Sequence, residues 1–547
     1  MSLAGDFGYI RDAYYQAWFR FHPEHAVDLG VPGYADQLTP CGDEDIGALV
    51  VLNEKLLSAL DELSVSELDA DDAVDFRLLQ GAAFLELSEL LETDWRLRDP
   101  QRFLPFNAIY QLTIRAVADF PEALQSRLQK IPACLRDARQ CLSMQPEAIP
   151  PAWLESAIEE ATAGIDYLAS LPRQLIVKDH AKRLRGLPKW IADAHEAVSE
   201  FTGFLESLGD RARGDYACGV RRFNDLLKYR HFLGVDADAL HAAGERLVAV
   251  VKQDLTRVLR RLGSDPDCAI QGRLPDASRL LQAYTDTMHA ARTFVQEHGL
   301  VTLPDDEALR VVETPVFMRH HIPFAAYDPP APGEASQVGH YYVTPVTAAD
   351  ALAEHNLSSI RHTCVHEAYP GHHVQFVIAN QRAASSTLPR LANTSATLYE
   401  GWALYCEQLM WEQGFLSGPE HEYLLLKDRL WRALRVVIDV ELHTRGVNHE
   451  DAARRLHEEL GFPLGQARAD IRWYIRSPTT PMGYATGWAL ITAARDRLRA
   501  AGGYDSRGFH DALLSSGSIA LPLVLERQFG TELAARAAET FFASVIS

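Results

Sequence analysis

The chain has 547 residues, 47% hydrophobic and 23% charged, a balance ordinary for a globular protein with several cores or one large helical body. Its formal net charge of −21 argues against nucleic acid as a partner and against docking on an anionic membrane, since both need clustered Lys and Arg. No run of about 18 apolar residues occurs, so no membrane span is expected.

At the start, Met1–Asp6 lacks a basic segment leading into an apolar one, so no secretory signal is expected. The 7 cysteines are scattered without a Cys-x-x-Cys pair, which reads as reduced thiols in a cytoplasm. A break is expected from Gln145-Pro146 to Pro151. From Asp238, the residues Leu240, Ala243, Leu247, Val251, Leu255 and Val258 recur at helical steps. A second break spans Gly263 to Pro275. The next helical pattern has Asp276 in an N-cap place, runs through Leu280, Tyr284, Met288, Ala291 and Val295, and stops at His298-Gly299. The pattern as a whole predicts a mostly α protein, with an N-terminal helical half over 1–230 and a C-terminal half over 231–547 that together form one continuous structural unit.

Two segments rich in β-formers, Leu309–Glu313 and His340–Thr344, flank a Pro/Gly/Ala-rich loop from Pro329 to Gly339. They predict a small sheet that either offers an edge to an extended peptide or forms a structural hairpin. His320-His321 reads as a solvated loop pair.

The stretch His366-Glu367-Ala368-Tyr369-Pro370-Gly371-His372-His373 carries the chemistry. Imidazole is a common zinc ligand, and a neighbouring carboxylate is a natural base for a metal-bound water. Zinc-binding histidines on a regular helix stand four residues apart, but the fourth residue after His366 here is Pro370. His373 is 7 residues on, which on an unbroken helix is ~10 Å along the axis, too far to share one zinc. The helix must therefore distort between His366 and His372, and Pro370-Gly371 supplies the means. His362, one turn earlier, reads as a surface or supporting histidine, and His373 competes with His372 for the second ligand place.

A third ligand is expected from the segment Ala396–Tyr405, with Glu400 the candidate and Glu407 placed to orient a ligand histidine. Glu367 would take a proton from the water and deliver it to a leaving amine. Further on, Arg435, Asp439 and His443 fall at four-residue steps on one helix face. Asp439 could hold Arg435 or fix the tautomer of His443, and Arg435 or His443 could bind an oxyanion or a substrate carboxylate. The same spacing also fits a surface charge ladder. Tyr484, after the turn Ser477–Gly483, is a candidate oxyanion donor, with Tyr474 second and a buried hydrogen-bonded tyrosine the plainer reading.

His-Glu-Ala-Tyr-Pro-Gly-His-His-Val-Gln (366–375) with Tyr-Glu-Gly-Trp-Ala-Leu-Tyr (399–405) resembles the DUF885 family of bacterial proteins. The segments Phe21–Gly30 and Tyr474–Tyr484 are weaker points of the same resemblance. The resemblance implies a metallopeptidase-like protein, similar in architecture to the largely helical gluzincins, with a deep central cleft and the small sheet near the metal. It implies His366, His372 and Glu400 as zinc ligands and Glu367 as base, and it favours His372 over His373. The expected activity is zinc-dependent hydrolysis of peptide bonds in short peptides. Two alternatives stand beside it: a zinc amidohydrolase acting on a small non-peptide amide, and an inactive helical binding or scaffold protein that retains a metal site.

Overall fold

In the computed structural model the chain is mostly α-helical, with one small three-stranded sheet. Residues 3–176, 186–263, 277–319, 322, 324–346, 355–382 and 386–542 are described. His320-His321, Asp276 and the segment 264–275 lie outside them. The described residues form two compact units.

The first unit comprises 1–216 with the short returns 315–317 and 331–334. It holds α1 (Leu3–Trp18), α2 (Asp43–Asp61), α3 (Ala70–Glu92), α4 (Phe120–Met144), α5 (Pro151–Ile176) and α6 (Leu187–Ser207). Helices α1, α2 and α3 pack together, and α4 and α5 pack on α6. Leu124, Leu128, Ile131, Leu135, Ala138 and Leu142 form the buried stripe of α4, at the alternating steps that keep one helix face turned to the core. The break after Met144 falls where the Pro-rich stretch places it.

The second unit carries the remaining described residues and the sheet. Helix Gly219–Tyr229 packs on α7 (Ala237–Leu262) and on α12 (Pro419–Thr444). The long N-terminal run of the first unit ends at Tyr216. Asp236 caps α7 through the Ala239 N–H. Helix α8 (Leu280–His298) ends at Gly299, whose φ of 57° is the left-handed conformation that closes a helix.

Strand β1 (Glu307–Glu313) lies parallel to β3 (Gln337–Val343), and β2 (Ala325–Asp328) lies antiparallel on the other side of β3. The register pairs Leu309 with Gly339 and Tyr327 with Tyr341. The two expected strands are thus neighbours but do not form a hairpin, because β2 intervenes and turns the chain back. Four helices then build the site: α9 (Leu357–Glu367), α10 (His372–Gln381), α11 (Ala396–Glu412) and α12. They are followed by α13 (Leu464–Tyr474) and α14 (Gly483–Ala501).

Candidate metal centre

Helix α9 starts on Asn356, whose side chain accepts from the Ser359 N–H at 2.9 Å, and stops at Glu367. Pro370 has no N–H to continue it, and the Tyr369–Pro370 peptide is cis. Gly371 passes so close to the carbonyl oxygens of Val365 and His366 that any side chain there would overlap them. Its N–H donates to Val365 O at 3.1 Å. The Trp402 indole N–H pins the break from α11 by donating to Pro370 O at 2.9 Å. The chain turns back as it enters α10, and the His366 and His372 ring centroids come to 4.9 Å, nearly perpendicular at 85°.

Ser395 caps α11 through the Thr397 N–H, and Glu400 and Glu407 follow on one face. His366 Nδ1 donates to Glu407 Oε1 at 2.7 Å, which turns Nε2 towards Glu400. Glu400 Oε2 lies 3.5 Å from His366 Nε2 and 3.3 Å from His372 Nε2. Two ligands at ~2.0–2.1 Å from a tetrahedral ion stand roughly 3.4 Å apart, so the two separations from Glu400 suit one zinc-sized cation, and all three ligand atoms lie within 4.8 Å of one another. Glu400 Oε2 is buried and has no hydrogen-bond partner among the described residues. All three residues are buried.

Burial disfavours the His366 imidazolium, but the Glu400 and Glu407 carboxylates more than offset it and lift the group to about 10. Burial raises Glu400, while the two imidazoles drive it below the usual carboxylate range. The site is thus built to hold positive charge, either as a proton or as a cation that replaces it. Glu367, half-buried next to His366, has its carboxyl raised by burial. The His372 and His366 charges oppose that rise, and Glu400 reinforces it.

Tyr484 reaches the set because α14 crosses α11 backbone to backbone. A Cβ on Gly401 would lie 2.6 Å from the Gly487 Cα, and one on Gly483 would lie 2.5 Å from the Ala396 Cβ. The Tyr484 ring stacks on His366 with centroids 6.3 Å apart. Burial and the Glu400 charge push its phenol well above the usual range, against the pull of Arg435.

A family model described as bacterial protein of unknown function matches residues 23–528. The chain belongs to the DUF885 family. Two solved structures share its fold. One is a candidate lipoprotein of unknown function from Shewanella oneidensis, with a TM-score of 0.76 and 19% identity, covering 95% of this chain and 99% of that one. The other is a candidate lipoprotein from Colwellia psychrerythraea, with a TM-score of 0.80 and 18% identity, covering 98% of this chain and 99% of that one. No curated protein matches the sequence.

In this DUF885 chain His373 turns away from Glu400. Its Nε2 donates to Glu307 Oε2 at 2.8 Å, and its Nδ1 accepts from the Tyr327 hydroxyl at 3.1 Å. Glu307 also accepts from Tyr369 at 2.6 Å and from Arg292 at 2.9 Å. Burial raises its carboxyl, but His373, Tyr369 and Arg292 together bring it down to about 2. β3 comes this close because residue 339 is glycine: a Cβ there would lie 2.9 Å from His373 Nδ1. Glu307, Tyr327 and Arg292 escaped the sequence reading. The one available signal was an acid at the head of a strand, and the expected strand began two residues later, at Leu309.

Arg435, Asp439 and His443 do share a face of α12, but not the partners expected of them. Arg435 Nε donates to the Tyr474 hydroxyl at 2.8 Å, and its guanidinium lies 4.5 Å from the Tyr484 ring centroid and 4.4 Å from that of Trp431. Asp439 Oδ1 lies 3.9 Å from His443 Nε2. It accepts from the Thr479 and Met482 N–H groups, each at 3.2 Å, fastening the turn that leads to Tyr484. His443 is buried, and its Nε2 donates to the Tyr474 carbonyl at 3.1 Å. The Tyr474 phenol is equally engaged, between Arg435 and Asp470.

His362 is buried, not at the surface. It meets His421 at 3.1 Å, and burial lowers it to about 3. Two other clusters among the described residues could hold a cation, His362–Glu407–Asp428 and His241–Glu245–Glu441. Arginines already sit against both: Arg432 lies 3.2 Å from Asp428, and Arg455 lies 2.9 Å from Glu441.

Proposed function

We propose that this DUF885 protein is a zinc-dependent hydrolase of peptide bonds in short peptides. The observation that carries the reading is the convergence of His366 Nε2, His372 Nε2 and Glu400 Oε2, all buried and within 4.8 Å of one another, with Glu400 at 3.5 and 3.3 Å from the two imidazoles, separations that suit a single tetrahedral ion. Two imidazoles and a carboxylate are a donor set suited to zinc. Bound there, zinc would polarise a carbonyl and lower the pKa of a water.

The chain's own groups supply the remaining steps. Glu367 takes a proton from the attacking water at its carboxylate and hands it to the leaving nitrogen. Tyr484, kept protonated by burial and by Glu400, donates to the oxygen that gains charge as the carbonyl carbon becomes tetrahedral. Glu407 fixes the His366 tautomer. Arg435 and Asp439 position Tyr484 through its ring and its preceding turn. The gluzincin-like architecture with a deep cleft, and a substrate range of short peptides or small amides without nucleic acid or membrane, belong to the same proposal.

The six described cysteines are free thiols, which suits a reducing cytoplasm. The lipoprotein descriptions of the two structural relatives favour a second reading, attachment to the cell envelope. Fractionation of cells expressing the natural gene separates these.

The test of activity is metal content followed by a peptide library, run with the native enzyme and with Glu367→Gln. Cleavage by the native protein and a loss of at least about a hundredfold in the variant are expected. Equal cleavage by both removes Glu367 from the mechanism. Metal-loaded protein that cuts small amides but no peptide moves the reading to an amidohydrolase, and full loading without any turnover moves it to a binding protein.

A further inference from the structure

Two of the site's helices are buried over most of their length, and beside the candidate ligands each has one residue that is not. In α10, His372–Gln375 and Val377–Ala379 are buried, and between them Phe376 is not. In α11, every residue from Ala396 to Glu407 is buried except Tyr399. Phe376 stands one turn beyond His372, and Tyr399 immediately precedes Glu400, so both interruptions fall beside the candidate ligands. Tyr327, half-buried on β2, joins them.

The three rings surround one histidine. Their centroids lie 6.3 Å (Tyr327), 6.1 Å (Phe376) and 6.2 Å (Tyr399) from that of His372. Phe376 is 6.1 Å from Tyr327 and 5.8 Å from Tyr399, so the rings form a continuous surface. Tyr327 lies nearly parallel to His372, at 14°, and its hydroxyl is tied to His373, which keeps its face rather than its polar tip in play. A partly exposed aromatic surface at the edge of a buried polar set is what an apolar ligand group covers.

We infer that Tyr327, Phe376 and Tyr399 form a shelf that receives a bulky apolar or aromatic side chain flanking the scissile amide. The inference rests on the hydrolase reading for the amide and on the ring geometry for the side chain, and the two are tested apart. The binding arm uses metal-free, full-length protein and two hexapeptides that differ only in Phe or Ala at the central position, measured by calorimetry. The Phe peptide is expected to bind at least about tenfold tighter. In Phe376→Ala and in Tyr399→Ala, with thermal melts matched to wild type, the ratio should fall towards one. Equal affinity in the wild type overturns the shelf whether or not the variants fold, and so does a ratio that survives both substitutions. The turnover arm uses zinc-loaded wild type on the same peptides. Equal rates overturn the shelf, and faster cleavage of the Phe peptide supports it. Phe-selective binding with no cleavage supports the shelf as an apolar site and sinks the hydrolase reading.

Discussion

Glu407 accepts the Nδ1 proton of His366 at 2.7 Å, and that bond decides which imidazole nitrogen faces Glu400. His372 has no counterpart at Nδ1, which is buried without a hydrogen-bond partner; rings pack around it while its Nε2 faces Glu400 at 3.3 Å. The two candidate ligands are therefore oriented differently, and only His366 has a carboxylate on its Nδ1. Glu407→Gln should weaken zinc binding by roughly 10–100-fold. Competition titration against a chromophoric chelator measures this. An unchanged affinity would separate Glu407 from the metal altogether.

Gly487→Ala tests the crossing that brings Tyr484 to Glu400. The new methyl would overlap the Thr397 carbonyl and stand 2.7 Å from the Gly401 Cα. Both neighbours are backbone and cannot rotate aside, so the helices must separate. A loss of about 2–4 kcal/mol in unfolding free energy is expected. Gly203→Ala, on the exposed face of α6 with nothing within 4 Å, is the control and should be neutral or slightly stabilising. Equal effects from the two substitutions would show that the crossing is not tight.

The meeting of His366, His372 and Glu400 was legible because these residues are compressed into two short motifs, and a proline at residue 370 forbids the regular spacing. The orientation of His373 was not, because the carboxylate that captures it stands 66 residues upstream in β1. β2 was missed for a related reason: Ala325-Ala326-Tyr327-Asp328 has little β-propensity, and its pairing with β3 supplies what the residues lack. The face shared by Arg435, Asp439 and His443 followed from helical spacing alone. Their partners did not, since Tyr474 and the Thr479–Met482 turn reach them only through the fold.

Acid should destabilise the protein through histidines buried in the neutral form. His510 is fully buried, its Nδ1 donating to Leu300 O at 2.7 Å and its Nε2 accepting from Tyr405 at 2.9 Å. Burial lowers it from 6.5 to about 4. Above the unfolded value neither state binds the proton, and the stabilisation is complete. As pH falls from 6.5 towards about 4 the unfolded chain takes up the proton first, and stability is lost by up to on the order of 3 kcal/mol. Urea unfolding at pH 7.5 and pH 5, in wild type and in His510→Gln, isolates this group. The variant should show a smaller difference between the two pH values, and identical differences would refute the assignment.

Tyr484→Phe separates oxyanion donation from packing. The ring keeps its place against His366 and under Arg435, so the metal affinity and the melting temperature should stay close to wild type. Only the hydroxyl that faces Glu400 is lost. If that hydroxyl stabilises the developing oxyanion, kcat should fall about 10²–10³-fold with little change in KM, because the interaction strengthens only as the carbonyl becomes tetrahedral. A rise in KM at constant kcat would instead assign Tyr484 to ground-state binding. Tyr474→Phe is the natural comparison, since its phenol already joins Arg435 to Asp470. That change should lower stability and reach kcat only through the position of Arg435, so a larger kcat loss there than in Tyr484→Phe would reverse the roles of the two tyrosines.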